Sequence, residues 1–228
     1  MPRAGDLLQA FLKSRWFYWG VFAACAAPLI LLLKEAIPVL VPAFWPDVTV
    51  PWAGDLGVNP AETLLHATGR HALRFLLLAL LVTPIRRLTG WNRVQRVRRM
   101  VGLWSFAYAL CHVTTYVALD QLGDIHAILD DVLKRKFIFS GMLAFVILLA
   151  LAATSTNGAI RRLGRRWQQL HRLVYVAAVA GAVHFVWGQK ADIREPLLWA
   201  GILAVLLGTR VVLALRKRVA TRHPAVSR

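Results

Sequence analysis

The chain has 228 residues, of which 58% are hydrophobic, and its mean hydropathy of +0.55 makes it more apolar than a soluble domain of this size. Its formal net charge of +17 is compatible with nucleic-acid binding as well as with a membrane protein. The basic residues lie between long apolar runs, which is typical of cytoplasmic loops of membrane proteins, so we expect a lipid bilayer and no nucleic acid as partner.

Six apolar segments predict an all-α fold, a polytopic membrane helix bundle with six transmembrane helices. Most of them approach the roughly 20 residues that cross about 30 Å of hydrocarbon. The second contains Arg74, and its limits are the least distinct. In chain order the segments are 16–33, about 71–85, 100–119, 137–155, 170–187 and 197–215. We therefore divide the chain into an N-terminal segment (1–15), a transmembrane domain (16–215) and a basic tail (216–228).

Charge asymmetry predicts the orientation of this bundle. Basic residues precede segment one and follow segments two, four and six. If six helices alternate in direction, these four regions share one side of the membrane, and the acidic residues concentrate on the other. By the positive-inside rule, the basic side and both termini are cytoplasmic. Three basic residues fall on the opposite side and break the pattern: Lys134, Arg135 and Lys136.

The two cysteines give no metal or disulfide motif. Cys25 and Cys111 both lie inside apolar runs, without a CxxC pair or a CxxCH sequence. A disulfide framework, a zinc ribbon and a c-type haem attachment site are therefore without support.

Two histidines lie inside the third and fifth segments, where ionisable groups are costly and are usually functional. His112 is eight residues before Asp120 and His184 is eight residues before Asp192, so each lies about 12 Å below the outer acidic end of its helix. Two imidazoles at equal depth can ligate one metal ion from opposite sides. A haem iron fits this pair better than zinc, which prefers four protein ligands. The alternative is a pair of histidines that only form hydrogen bonds between helices.

His171 belongs to a different site, because the 13 residues between it and His184 correspond to a rise of about 20 Å. The position on segment three that would match it is Arg98, which is not a haem ligand. Arg98, Arg99 and Arg172 can bind a haem propionate or a phosphate, or serve only as loop charges.

At the outer start of segment two, Arg70 and Arg74 are four residues apart and therefore share a helix face. They are candidates for a propionate or quinone site. The alternative is that both side chains extend to the lipid headgroups.

Several stretches together resemble the MsrQ (YedZ) family. They are TGRHALRFLLLALLVTPIRRLTG, RRMVGLWSFAYALCHVTTYVALD, KRKFIFSG and WQQLHRLVYVAAVAGAVHFVW, and the resemblance covers about residues 60 to 215. It implies a ferric-reductase-like transmembrane fold and a haem-binding subunit of the bacterial inner membrane. The family histidines correspond to His112, His171 and His184 as axial ligands of haem b, with one haem expected and a second left open.

The resemblance also implies a route for electrons. The family passes electrons from quinol, or from a cytoplasmic flavin reductase, to MsrP, a periplasmic molybdopterin enzyme that reduces methionine sulfoxide in damaged proteins. FMN is a further cofactor implied by the family. The chain is then an electron-transfer subunit rather than the catalytic one, and we assign it no catalytic acid, base or nucleophile.

Two other functions are compatible with an apolar helix bundle. A non-redox transporter is disfavoured because no Asp or Glu lies within the cores of the six segments and no internal repeat is apparent. A cofactor-free anchor subunit leaves the matched depths of the two histidines unexplained.

Overall fold

The computed structural model describes residues 11–12, 14–45, 47–51, 54–189 and 192–222. Within these ranges the regular secondary structure is entirely helical, which confirms the predicted all-α class. The helices are α1 (Arg15–Phe44), α2 (Pro60–Thr89), α3 (Gln95–Thr115), α4 (Ile125–Lys134), α5 (Lys136–Ala153), α6 (Asn157–Leu163), α7 (Arg165–Leu170), α8 (Val174–Gly188) and α9 (Arg194–Arg222). A π-helical turn, Tyr116–Asp120, extends α3, and a 3-10 turn, His171–Leu173, precedes α8.

Five spans in the described ranges are long and apolar enough to cross a membrane. They are Arg15–Pro42, Asn92–Asp120, Lys136–Ala153, Arg165–Gly188 and Arg194–Arg216. The predicted second segment is not among the five, but it forms α2, a helix of 30 residues that packs inside the bundle. The structure is therefore consistent with the predicted bundle of six long helices.

Both α1 and α2 are longer than their apolar segments. The helix α1 continues through Pro28, Pro38 and Pro42 to Phe44. The helix α2 begins at Pro60, where the Asn59 side chain accepts a hydrogen bond from the Glu62 amide at 3.2 Å, and it ends at a left-handed glycine, Gly90. Charged and polar residues lower the hydropathy of its first turns without stopping the helix.

The ends of the chain are only partly described. Of the predicted N-terminal segment, residues 1–10 and 13 lie outside the described ranges, as do residues 223–228 of the predicted tail. The helix α9 runs across the predicted boundary at 215 and continues to Arg222. The proposed division at residues 15 and 215 stays a prediction.

The core is built around α2. Leu73, Leu76, Leu77 and Leu80 of this helix are buried against α5, α8 and α9. The part of α8 that takes part in this packing is rich in alanine, and such small residues allow helix backbones to approach closely. Close packing of α2 against α3 and α8 determines which side chains of these helices are in contact.

A second buried cluster attaches α1 to this core. The side chain of Tyr108 in α3 is completely buried, and its hydroxyl donates to the carbonyl of Cys25 in α1 at 2.9 Å. The Phe75 ring of α2 stacks on the Tyr108 ring. These contacts join α1, α2 and α3 about one helical turn before His112.

Candidate functional site

Two antiparallel helix pairs position the intramembrane histidines. In the first pair, the Ser105 hydroxyl of α3 donates to the Ala72 carbonyl of α2 at 2.8 Å. In the second pair, the Ser140 hydroxyl of α5 donates to the Ala180 carbonyl of α8 at 2.7 Å. The helices α3 and α5 are in contact, so the two pairs meet. This arrangement brings the end of α3 and the end of α8, with their histidines, to the same part of the bundle.

His112 and His184 face one another across the meeting point. Their ring centroids are 6.0 Å apart, and the ring planes make an angle of 81°. The Nδ1 atom of His112 lies 2.8 Å from the Leu65 carbonyl, and the Nδ1 atom of His184 lies 2.8 Å from the Phe137 carbonyl. A carbonyl only accepts, so Nδ1 carries the proton in each ring. The Nε2 lone pair of each ring is therefore left for a ligand.

A cavity of about 280 Å³ lies between the two helix pairs, and both histidines line it. Most of its wall is apolar and comes from α2, α3, α5 and α8, with Leu73, Phe145 and Leu148 among the contributors. Polar side chains gather at one end: His66, Arg70, Asp120 and Arg135. The cavity thus combines an apolar interior, two imidazoles and a partly cationic rim.

The residues present fit a haem. A metal–imidazole bond is about 2.0 Å and the ligating nitrogen lies about 1.1 Å from the ring centre, so two imidazoles on opposite sides of one metal ion have centres about 6 Å apart. The observed 6.0 Å between His112 and His184 agrees with this separation. In the described ranges no three His, Cys, Asp or Glu side chains form a group that could hold a metal ion. Two axial ligands suffice when a porphyrin supplies the other four.

Each histidine belongs to a set of three residues: the carbonyl it donates to, a glycine and the histidine itself. We call each set a half-site, and the two half-sites are separated by a constant number of residues along the chain. Each histidine donates to a carbonyl 47 residues earlier in the chain. A glycine stands four residues after each of these carbonyls, at 69 and 141. Acceptor, glycine and histidine are each offset by 72 residues between the half-sites (65 to 137, 69 to 141, 112 to 184). This correspondence of three positions was not anticipated from the sequence, in which no internal repeat is apparent.

The signal for this repeat is short. Thr68–Gly69 and Ser140–Gly141 are each followed three residues later by alanine, in TGRHA and SGMLA. Both glycines lie in stretches that carry the family resemblance, but no role for them was predicted. Only the register between helices shows that each glycine lies beside a histidine ring.

Arg70 and Arg74 lie near the polar end of the cavity and share a helix face as predicted. Both are paired with Glu195 of α9, at 3.8 Å and 3.2 Å respectively. The Arg74 guanidinium also lies 5.3 Å from the centre of the Trp199 ring. Arg70 lines the cavity, whereas Arg74 points toward α9. Of the two, Arg70 is the one placed to meet an anionic group in the cavity.

His171 lies at the opposite end of the bundle, apart from the histidine pair. Its ring stacks on Trp167 with centroids 3.9 Å apart, its Nδ1 donates to the Trp167 carbonyl at 3.2 Å, and its Nε2 lies 3.5 Å from the Ser155 hydroxyl. The contacts of His171 are therefore different from those of His184, and its assignment to a separate site stays a prediction.

Two of the three arginines predicted for this end have surroundings that can be described. Arg99 donates to the Asn157 side chain at 2.8 Å, and Arg172 is exposed. The structure therefore divides the five candidate arginines between the two ends of the bundle and gives only Arg70 a place in the cavity wall.

Comparisons with known proteins agree on one group of membrane proteins. Residues 68–182 match the family model described as ferric reductase like transmembrane component. A protein of Rhodospirillum rubrum named protein-methionine-sulfoxide reductase heme-binding subunit MsrQ is 47% identical over 90% of this chain and 92% of its own length. Proteins of the same name are 49% identical in Brucella anthropi, over 75% of this chain and 77% of that protein, and 47% identical in Azospira oryzae, over 72% of each.

Proposed function

Because the chain belongs to the MsrQ family of ferric-reductase-like transmembrane proteins, we propose that it carries electrons through a b-type haem held by His112 and His184. The observation that carries this proposal is the pair of imidazoles, 6.0 Å apart on one cavity, with both Nδ1 atoms already hydrogen-bonded. The relatives are named as haem-binding subunits, which supports the cofactor.

The residues of the cavity have distinct roles in this proposal. His112 and His184 would hold the haem iron through Nε2, and the carbonyls of Leu65 and Phe137 accept from Nδ1 and so fix the tautomer that leaves Nε2 free to ligate. The apolar wall excludes water, and the Arg70 guanidinium at the rim offers a partner for a carboxylate. When bound, haem iron supplies a one-electron carrier that alternates between the ferric and ferrous states. The protein tunes that carrier through ligand orientation, burial and rim charge.

We place the chain in the bacterial inner membrane with both termini in the cytoplasm. The positive-inside distribution of the arginines supports this orientation. The histidine pair then lies in the periplasmic half, where electrons can leave toward a periplasmic partner. The donor in this proposal is the quinone pool or a cytoplasmic flavin reductase. The acceptor is the molybdopterin enzyme MsrP, and the outcome is repair of oxidised periplasmic proteins.

His171 stays a prediction as an axial ligand of a second haem. Its ring is stacked on Trp167, and none of the histidines that the structure describes is paired with it, so this site is less complete than the first. Arg98, Arg99 and Arg172 stay predictions as partners of a propionate, a phosphate or FMN on the cytoplasmic side. Arg74 stays a prediction for the periplasmic rim, where Glu195 already neutralises part of its charge.

Electron transfer is tested with purified protein in lipid vesicles. A reduced quinone analogue should convert the absorbance of the protein to that of a ferrous b-type haem. Addition of the molybdopterin subunit with methionine sulfoxide should then return it to the ferric spectrum. Vesicles with His126→Ala, a variant at an exposed histidine of α4, serve as the control and should behave as wild type. A haem that quinol reduces but the partner does not reoxidise would refute the proposed acceptor.

A further inference from the structure

We propose that Gly69 and Gly141 are positioning residues for the two axial histidines, because the lack of a side chain at each lets a histidine ring reach a backbone carbonyl of the neighbouring helix. This inference rests on the proposed haem site. It assigns a function to two residues of the cavity wall that have no side chain to act as a ligand.

The space beside each glycine is already filled by an imidazole. A Cβ atom at position 69 would lie 2.9 Å from Nδ1 and 3.0 Å from Cε1 of His112. A Cβ atom at position 141 would lie 2.6 Å from Nδ1 and 2.9 Å from Cε1 of His184. These separations are shorter than ordinary van der Waals contact, so any side chain at either position would displace the ring.

Helix geometry explains why the glycine stands four residues after the acceptor. The carbonyl of residue i in an α-helix faces the amide of residue i+4, and the Cα–Cβ bond at i+4 is tilted back toward the N-terminus. A side chain at position 69 would therefore cover the Leu65 carbonyl, and one at position 141 would cover the Phe137 carbonyl. With glycine there, each carbonyl can accept from the neighbouring ring in addition to its own helix.

The same device occurs twice, on different helix pairs, which argues against a chance contact. Of the glycines that the structure describes, Gly69 and Gly141 are the two whose added Cβ would meet a histidine. A Cβ at Gly102 in α3, or at Gly181 in α8 beside His184, would meet nothing within 4 Å. A Cβ at Gly54 would meet the backbone carbonyl of Glu35. Among the described glycines, a histidine ring is therefore the obstacle at positions 69 and 141 alone.

The hydrogen bond has a chemical consequence for the iron. A carbonyl that accepts from Nδ1–H makes the imidazole a stronger donor through Nε2 and fixes its orientation. A stronger donor stabilises the ferric state more than the ferrous state. Weakening of either hydrogen bond should therefore raise the midpoint potential and change the ferric ligand-field spectrum.

The test compares Gly69→Ala and Gly141→Ala with Gly102→Ala in the purified full-length protein. Alanine is a better helix former than glycine, so a loss in the first two variants cannot arise from helix propensity. The readouts are haem per polypeptide, midpoint potential and the electron paramagnetic resonance spectrum of the ferric protein. We expect Gly69→Ala and Gly141→Ala each to raise the potential or to lose haem, and Gly102→Ala to match wild type.

A second measurement, on the wild-type protein, tests the inference even if the alanine variants fail to fold. Infrared difference spectra of the oxidised and reduced protein, with isotope-labelled histidine, report whether Nδ1–H is bonded to a strong acceptor. A strongly bonded signal supports the inference, and a weakly bonded or water-exposed signal overturns it. Unchanged potentials and spectra in both alanine variants also overturn it, while leaving the haem proposal intact. A wild-type protein that binds no haem would instead overturn the proposed function.

Discussion

The Ser140 hydroxyl of α5 connects two helices at the turn that carries His184, and its removal should weaken the bundle by a defined amount. Ser140 is buried and donates to the Ala180 carbonyl of α8 at 2.7 Å. That carbonyl is four residues before His184 and also accepts the helix bond of the His184 amide. Replacement by alanine removes the contact between helices but does not leave the carbonyl without a partner.

The expected loss follows from this geometry. Hydrogen bonds between transmembrane helices contribute about 0.6 kcal/mol on average and about 1.7 kcal/mol at most. Because Ala180 keeps its helix bond, we expect Ser140→Ala to lower the free energy of unfolding within that range. A loss beyond about 3 kcal/mol would be the cost of an unsatisfied buried group and would contradict the shared carbonyl.

The assay is unfolding of the purified protein in mixed micelles, followed by far-ultraviolet circular dichroism. Thr209→Val is the matched control, because the Thr209 hydroxyl donates to Leu206 within its own helix at 2.9 Å. The control should leave the free energy of unfolding nearly unchanged. Equal stability of Ser140→Ala and wild type would refute the reasoning that this bond joins α5 to α8.

Two further predictions follow from the same part of the bundle. The 81° between the ring planes of His112 and His184 predicts a low-spin ferric resonance with strong g-anisotropy, and a rhombic spectrum typical of near-parallel rings would contradict that geometry. Tyr108→Phe removes the hydrogen bond to Cys25 and should cost about 1 kcal/mol in the same unfolding assay, with unchanged haem content; loss of haem would show that α1 is needed for the site.

The depth of the histidines could be predicted because it depends on one helix at a time. A constant rise per residue relates His112 to Asp120 along α3 and the π-helical turn Tyr116–Asp120. For His184 the same rule holds as far as Gly188, where α8 ends. The distance between His171 and His184 follows from the same rule. These inferences needed no knowledge of which helices touch.

The hydrogen-bond partners of the histidines could not be predicted in this way. The approach of His112 to Leu65 depends on the register between α2 and α3, and the approach of His184 to Phe137 depends on that between α5 and α8. Register results from packing along the whole helix pair. Gly69 and Gly141 were visible in the sequence, but their role depends on these contacts.

Helix limits were also only partly predictable. Hydropathy marks only the apolar part of α2. The helix starts earlier, at Pro60, because the Asn59 side chain caps it and its polar first turns form the same backbone hydrogen bonds as apolar ones. The helix α4 was not expected at all. It is short, it is capped by Asp124 through the amides of His126 and Ala127, and it lies between two apolar segments rather than within one.

The most direct test of the haem site is the molar ratio of b-type haem to polypeptide in purified His112→Ala and His184→Ala, with His126→Ala as control. Since each of the first two substitutions removes one of two axial ligands, both variants should lose the bis-histidine spectrum and most of their haem. The control should retain both. Retention of a wild-type ratio and spectrum in either His112→Ala or His184→Ala would show that the two histidines do not hold a haem between them.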